Sequence, residues 1–232
     1  MISAEIEKIF GIKAITPEYY KNALTHPSFI KDNGLDYSEC YERLEFLGDA
    51  VLKLAVSDIL YKNYPDYTEG QMSKIRSIIV SDNILSKLAN KIGLNKLIIA
   101  GEHDKKQGIT ELESVTACAF EAILGAYFLD GKFYEVMDFL NDAFHDEIIE
   151  IDENFEKYNA KAILQEYTQG LTKETPVYRL VETKGAEHKK TFIIEVAYRG
   201  EVIAQGEGKS KKDAEQHAAY TACEKLGVIK HE

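Results

Sequence analysis

The chain has 232 residues, of which 45% are hydrophobic and 29% charged, and its formal net charge is −11. This composition is that of an ordinary globular protein, and no apolar run reaches the ~20 residues of a membrane span, so we expect no membrane partner. The three cysteines (Cys40, Cys118 and Cys223) are far apart, which indicates neither a disulfide framework nor a zinc site and favours a cytoplasmic location.

The charge is distributed unevenly along the chain. Residues 1–156 carry 15 basic and 28 acidic side chains, whereas residues 157–232 carry 13 basic and 11 acidic ones. A strongly acidic front and a mildly basic back indicate two modules with different functions. We therefore expect domains at residues 1–152 and 158–228, joined by a linker at residues 153–157.

Residues 1–152 are predicted to form an all-α domain, because no strand-like alternation appears before residue 150. The polar stretch Gly101–Gly108 is predicted to be a mobile loop. Apolar residues at helical spacing predict helices over the following segments: Glu5–Phe10, Pro17–Leu24, Tyr41–Tyr61, Glu69–Val80, Ser81–Ile92, Val115–Leu129 and Lys132–Ile149.

Three acids occupy one face of the helix predicted after Tyr41. Glu42, Glu45 and Asp49 are separated by three and four residues, so their side chains lie on adjacent turns. Like charges there destabilise a helix, and burying them costs much more, whereas a divalent cation would remove both costs. A solvated acidic stripe is the alternative interpretation.

Glu121 is the only charged residue of the apolar segment Val115–Leu129. A buried carboxylate requires a cation or a strong hydrogen-bond donor. A structural salt bridge to Arg43 or Lys53 would meet that need. The sharper hypothesis joins Glu121 to Glu45 and Asp49 as ligands of Mg²⁺, which prefers carboxylate oxygens and waters.

The back of the chain is predicted to be a small α+β domain with the order α-β-β-β-α. We expect Ile163, Leu164 and Tyr167 to face inward from its first helix. Ser210 is predicted to cap the last helix, with Asp213 completing a capping box. The predicted elements are a helix over Ala160–Gln169, strands over Val177–Thr183, Thr191–Tyr198 and Glu201–Gly206, and a helix from Ser210 to Leu226, with Ala214, Ala218 and Ala222 against the sheet.

Two lysines begin the last predicted helix, where cations oppose the helix dipole. Lys211 and Lys212 together with free N–H groups make a phosphate site, with a solvated turn as the alternative. The segment Gly208–Ser210 resembles the end of a P-loop, but Ile203 stands where that motif requires its first Gly. We therefore predict no nucleotide cofactor.

These features together resemble bacterial ribonuclease III, an all-helical endonuclease joined to a double-stranded-RNA-binding domain. The stretch Glu42–Ala50 reads as the family signature, and the other nuclease motifs stand in the expected order: Ala23–His26, Glu69–Gly70 and Phe120–Ala126. In the back, three stretches fit the RNA-contact regions of that domain: Leu164–Tyr167, Gly185–Phe192 and Gly206–Glu215.

The resemblance implies roles for residues that match the family's motifs. Glu45, Asp49 and Glu121 match the metal-dependent catalytic centre. Glu42 and Glu69 match acids nearer a subunit junction, and Phe46 matches an aromatic residue that packs into the partner of a homodimer. The expected RNA contacts, which would read duplex shape and phosphates, are Gln165, Glu166, Gln169, His188, Lys209, Ser210, Lys211 and Lys212. For His188 the alternative is an ordinary exposed loop histidine.

One position departs from the family pattern. Three residues before Glu121 the family has Asp, and this chain has Cys118, which at helical spacing points to the same site. A thiol is a softer and usually neutral ligand, so Cys118 is a doubtful one. Three outcomes are open: a water replaces the carboxylate, the site favours Mn²⁺, or catalysis is lost while RNA binding remains.

The resemblance predicts a Mg²⁺-dependent endoribonuclease that cleaves double-stranded RNA and processes rRNA precursors and other structured RNAs, with Mn²⁺ as a substitute ion. Glu45 and Glu121 would hold the metal, and Asp49 would orient or deprotonate the attacking water. The main alternative is a duplex-RNA-binding protein whose nuclease centre is weakened or inactive because of Cys118. A purely structural ribosomal or scaffold component is a third class, which the set of carboxylates disfavours.

Overall fold

The computed structural model describes residues 2–185 and 190–229, and it divides the chain into two compact units between Ile149 and Glu150. The predicted linker, residues 153–157, begins with the last residue of one helix and continues into a short helix, Phe155–Tyr158. In the part of the chain that is described, no helix has both the length and the hydropathy needed to cross a bilayer.

The first unit is helical, as predicted. Its helices are α1 (Ile2–Phe10), α2 (Pro17–Ala23), α3 (Pro27–Asn33), α4 (Glu42–Asn63), α5 (Glu69–Ile79), α6 (Asp82–Lys91), α7 (Glu102–Lys106), α8 (Glu113–Leu129) and α9 (Phe133–Glu153), of which the last continues past the division.

Two short helices differ from the expectation. Helix α3 was not predicted, although Pro27 at its first position and the His26 side chain, which accepts from the backbone N–H of Ser28, are start signals. Helix α7 occupies most of the segment predicted to be a loop, Gly101–Gly108. Neither helix exceeds seven residues, so neither carries enough periodicity to be predicted from sequence.

Helix α8 lies at the centre of the first unit, against α4, α6 and α2. Ten of the residues that follow Val115 in this helix are buried, and the aromatic rings of Phe120 and Tyr127 contact those of Phe10 and Tyr20. Most of the α8 surface is thus covered by apolar neighbours. Any polar side chain on it must therefore face a specific partner or a cavity.

The second unit has the predicted α-β-β-β-α order, preceded by α10 (Phe155–Tyr158). The strands form one antiparallel sheet in the order β1-β2-β3, and Arg199 and Gly200, both with positive φ, make the two-residue turn between β2 and β3. The elements are α11 (Ala160–Thr172), β1 (Val177–Lys184), β2 (Thr191–Tyr198), β3 (Glu201–Gly208) and α12 (Lys211–Lys225).

Small residues bring α12 close to the sheet. Ala214, Ala218 and Ala222 are buried, as the sequence predicts. A Cβ added to Gly206 would lie 2.1 Å from the backbone nitrogen of Ala218, and one added to Gly208 would lie 2.4 Å from that of Ala214. The end of β3 therefore runs directly beneath the start of α12.

Candidate active site and RNA interface

Helix α4 presents its three acids on one side, at the border between core and solvent. Glu42, Glu45 and Asp49 are each half-buried, whereas Leu44 and Val51 are buried. The predicted acidic face is thus present, and it is not a fully solvated stripe. The carboxylates lose part of their hydration while remaining accessible to a ligand.

Two glycines set the distance between α4 and α8. A Cβ on Gly48 would lie 1.7 Å from the carbonyl oxygen of Glu121, and a Cβ on Gly125 would lie 2.3 Å from the carbonyl oxygen of Leu44. The two backbones therefore touch where they cross, as only glycine permits. Because Glu45 and Asp49 flank Gly48, this crossing places them opposite Glu121.

The acids of α4 and Glu121 of α8 line the same cavity. Its wall contains the three predicted catalytic residues, Glu45, Asp49 and Glu121, and also Cys118. Asp82, the first residue of α6, lines the same cavity and was missed by the sequence analysis, because a lone acid at a helix start looks like an ordinary first-turn residue. The other lining residues are Tyr41, Glu42, Phe46, Lys53 and Val80.

The carboxylates of this cavity repel one another. Burial raises the pKa of Glu121 to about 8, and the charges of Asp49, Glu45 and Asp82 contribute to the rise, whereas Lys53 opposes it. Burial also raises the pKa of Glu45. Among the described residues neither Arg43 nor Lys53 forms an ion pair with Glu121, since Arg43 is exposed and the Lys53 ammonium lies 2.7 Å from Asp49 Oδ2. The salt-bridge alternative for Glu121 is therefore wrong.

Cys118 is half-buried beside these acids. Burial raises the pKa of its thiol, and so do a hydrogen bond to Glu45 and the negative charges of Glu45 and Glu121. The thiol therefore stays protonated near neutral pH, with its S–H available as a hydrogen-bond donor to Glu45. In this state Cys118 has no negative charge to offer a metal ion.

Among the described residues, five carboxylates line the cavity with one cation, Lys53. Such a set of oxygen donors suits a hard divalent cation. In the arrangement described for residues 2–185 and 190–229, no three His, Cys, Asp or Glu side chains already surround a common point as ligands. The side chains would thus have to rotate to bind an ion, with water or phosphate oxygens completing the shell.

A second cavity lies next to the first, and Phe46 stands at its rim. The Phe46 side chain is 83% exposed, which is unusual for a phenylalanine. Glu42 lines both cavities and accepts a hydrogen bond from the Tyr37 hydroxyl, whereas Glu69, at the start of α5, is exposed and accepts from Ser73. The remaining lining residues are Tyr19, Asn22, Ser38, Arg43, Leu44, Leu47 and Leu129.

In the second unit, α11 exposes the polar side that the sequence predicts. Gln165, Glu166 and Gln169 are all exposed. Leu164 is buried and Ile163 packs against the core, as predicted, whereas the prediction for Tyr167 is wrong, since it is 36% exposed. Ala160 and Thr168 are the other buried residues of this helix. Tyr167 thus stands on the same exposed side as the two glutamines.

The start of α12 presents the predicted cationic cluster. Ser210 and Asp213 form the predicted capping box. Lys209, Lys211 and Lys212 are exposed, and none of them is paired with an acid among the described residues. The predicted contact His188 lies outside the described residues.

Comparison with known proteins agrees with this two-part organisation. A family model described as Ribonuclease-III-like matches residues 16–148, and one described as double-stranded RNA binding motif matches residues 160–226. A Ribonuclease 3 from Natranaerobius thermophilus is 39% identical over 222 residues, which cover 96% of this chain and 95% of that protein. The chain belongs to the ribonuclease III family.

Further members support the assignment. A Ribonuclease 3 from Bdellovibrio bacteriovorus is 40% identical over 223 residues, which cover 94% of both proteins. The nuclease domain of ribonuclease III from Campylobacter jejuni superposes with a TM-score of 0.56 at 31% identity, covering 61% of this chain and 95% of that structure. The resemblance inferred from sequence motifs is therefore confirmed, and with it the dependence on a divalent metal that is general in the family.

The raised pKa of Glu121 leads to a prediction about the metal-free protein. Between its ordinary value of 4.5 and the folded value of about 8, Glu121 keeps a proton that the unfolded chain releases. The folded state then binds more protons, so this residue contributes less stability as the pH rises through that interval. We expect Glu121→Gln to gain stability relative to the wild type as the pH rises.

The measurement is a set of thermal melts in EDTA between about pH 5 and pH 8. The difference in Tm between Glu121→Gln and the wild type should grow with pH. Glu113→Gln, which changes an exposed acid of the same helix, is the control and should give a constant difference. If the Tm of Glu121→Gln and that of the wild type change with pH in parallel, the raised pKa of Glu121 is contradicted.

Proposed function

We propose that this protein is an endoribonuclease that cleaves double-stranded RNA by metal-assisted phosphodiester hydrolysis. The observation that carries the proposal is the cavity in which Glu45 and Asp49 of α4 meet Glu121 of α8. Residues 1–152 would form the nuclease and dimerisation domain and residues 158–228 the RNA-binding domain, with residues 153–157 between them. The relatives named Ribonuclease 3 favour this function over a non-enzymatic RNA-binding protein.

The three predicted catalytic carboxylates have proposed roles. Glu45, Asp49 and Glu121 would hold the divalent cation, Mg²⁺ with Mn²⁺ as a substitute. Asp49 would also either orient the attacking water by accepting its hydrogen bond or take its proton at a carboxylate oxygen. A bound divalent cation supplies positive charge that offsets the negative charge developing on the phosphate and the leaving oxygen.

Cys118 would act through Glu45 in this proposal. Its protonated thiol would donate a hydrogen bond to the Glu45 carboxylate and so orient that side chain without adding negative charge. Of the three outcomes open from the sequence, this supports a centre in which water takes the place of the missing carboxylate. Such a centre retains three acids for Mg²⁺ at reduced affinity.

Affinity for RNA would come largely from the second unit, because an acidic nuclease cavity repels phosphates. Gln165, Glu166 and Gln169 would approach a minor groove of an A-form duplex. Lys209, Lys211 and Lys212 would meet phosphates, assisted by the Ser210-capped start of α12. His188 remains a predicted minor-groove contact.

The nuclease domain would act as a homodimer. The exposed Phe46 ring beside an apolar cavity supports burial against a second copy, with Glu42 and Glu69 nearer the junction. In the Campylobacter jejuni protein, a region of the nuclease domain is involved in dimer formation. Precursors of rRNA and other structured RNAs are the proposed substrates, and the free thiols of Cys40 and Cys223 fit a cytoplasmic location.

The proposed function is tested by incubating the full chain with end-labelled duplex RNA and Mg²⁺, and separately with Mn²⁺. We expect short duplex products with both ions, none in EDTA, and no cleavage of the separated strands. Cys118→Asp should raise cleavage with Mg²⁺ more than with Mn²⁺. Binding of the duplex without cleavage under either ion would favour the non-enzymatic alternative.

The lysines at the start of α12 are expected to bind phosphates. Lys211→Ala with Lys212→Ala should weaken duplex binding by about tenfold and reduce the salt slope of log Kd by about one to two. The measurement is a fluorescence titration at several salt concentrations. Lys225→Ala, at the far end of the same helix, is the control. An unchanged salt slope in the double variant would show that these lysines do not reach phosphate.

A further inference from the structure

Lys53 is a cation inside an acidic cavity. Among the described residues that line the nuclease cavity, it is the only one with a positive charge. Lys53 has no role in the mechanism proposed above. The sequence suggested it only as a partner for Glu121, which it does not pair with.

The Lys53 ammonium forms an ion pair with Asp49, a proposed catalytic residue. Lys53 follows Asp49 by one helical turn, and its Nζ lies 2.7 Å from Asp49 Oδ2. The side chains are 51% and 39% exposed, so the pair is hydrated, and pairs of this kind are weak. Lys53 can therefore release Asp49, and its flexible stem allows the ammonium to move into solvent.

A divalent cation in this cavity would compete with the ammonium. Both require the Asp49 carboxylate, and two cations at neighbouring positions repel each other with little screening, because the distance is well below the Debye length. The carboxylates are not yet arranged as ligands in the described part of the chain, and among those that line the cavity there Asp49 is the one paired with an ammonium.

We propose that Lys53 is a built-in counter-ion of the nuclease centre. It holds Asp49 when no divalent cation is present and must release it when one binds, so that the affinity for metal is lower than the carboxylates alone would give. Lys53 is thus a positioning residue for Asp49. The inference rests on the proposed function only in that Asp49 and Glu121 belong to the metal site.

The chain contains a matched control. Lys62 pairs with Asp58 in the same helix, at the same four-residue spacing and at 2.8 Å, and neither residue lines the cavity. Lys53→Met and Lys62→Met therefore remove the same charge and the same kind of pair from α4. They differ only in distance from the proposed centre.

The experiment is a titration of the full-length protein with Mn²⁺ in the absence of RNA, in which free Mn²⁺ is measured by electron paramagnetic resonance. Lys53→Met and Lys53→Gln are expected to bind Mn²⁺ about 3- to 10-fold more tightly than the wild type. Lys53→Arg, which keeps the charge, and Lys62→Met should stay within about twofold of the wild type.

The two proposals fail in different ways. If Glu121→Gln weakens Mn²⁺ binding but Lys53→Met and Lys53→Gln leave it unchanged or weaken it, the counter-ion inference is overturned and the metal site stands. If Glu121→Gln leaves Mn²⁺ binding unchanged, the proposed metal site itself is wrong, and the counter-ion inference falls with it. Equal tightening in Lys53→Met and Lys62→Met would assign the effect to net charge and also overturn the inference.

Discussion

Glu121→Gln is expected to reduce cleavage of duplex RNA by about 10³-fold or more, since metal-ion stabilisation of a phosphoryl transition state supplies several kcal/mol. The amide removes the negative charge at the point where α8 faces the two acids of α4, while keeping the shape of the side chain. Burial and, after it, repulsion by the neighbouring acids raise the pKa of Glu121, and glutamine carries no charge to be buried or repelled, so the variant should fold at least as stably as the wild type.

Single-turnover cleavage with saturating Mg²⁺ measures this effect, and a gel shift measures duplex binding. Binding should be retained, because most of the proposed RNA contacts lie in the second unit. Glu113→Gln on the same helix should cleave at the rate of the wild type. If Glu121→Gln keeps more than about a tenth of the wild-type rate, Glu121 is not a ligand of the catalytic metal.

Gly48→Ala is expected to destabilise the nuclease domain by about 2 kcal/mol or more, because overpacking against an unyielding neighbour exceeds the helix-propensity gain of alanine. The new Cβ would lie 1.7 Å from the carbonyl oxygen of Glu121 and 2.5 Å from its carbonyl carbon. Backbone atoms cannot rotate away as a side-chain tip can. Helices α4 and α8 would have to separate, which moves Glu45 and Asp49 away from Glu121.

Calorimetry should show a lower Tm for the nuclease transition of Gly48→Ala, and cleavage should fall by about 10²-fold, the usual effect of ligands misplaced by about 1 Å. Gly70→Ala in α5 is the matched control, because its nearest atom is Thr68 Oγ1 at 4.0 Å. That variant should be unchanged or slightly more stable. A wild-type Tm for Gly48→Ala would mean that the helices do not cross as described.

Patterns confined to one helix were predictable from the residues themselves. The acids of α4 share a face because side chains three and four residues apart are neighbours on any α-helix. The capping box of Ser210 and Asp213 likewise needs only four consecutive residues. The small-residue face of α12 reflects the same kind of short-range rule.

Errors arose where packing decides between two faces of one helix. Tyr167 follows Ile163 by four residues, and this spacing predicted that Tyr167 faces inward. The core of the second unit contains the predicted Leu164, with Ile163 packed against it, but Ala160 and Thr168 are buried where Tyr167 is not. Amphipathic spacing cannot distinguish a buried tyrosine from an exposed one.

The composition of the nuclease cavity depends on contacts between distant parts of the chain. Asp82 joins it because α6 packs against α8, and Gly48 and Gly125 allow α4 and α8 to touch. Lys53 pairs with Asp49 rather than Glu121 because a partner one turn away is always within reach. Helical periodicity specifies which residues share a face, whereas the packing of backbones against one another specifies which faces meet. Both were needed to predict which side chains line the nuclease cavity.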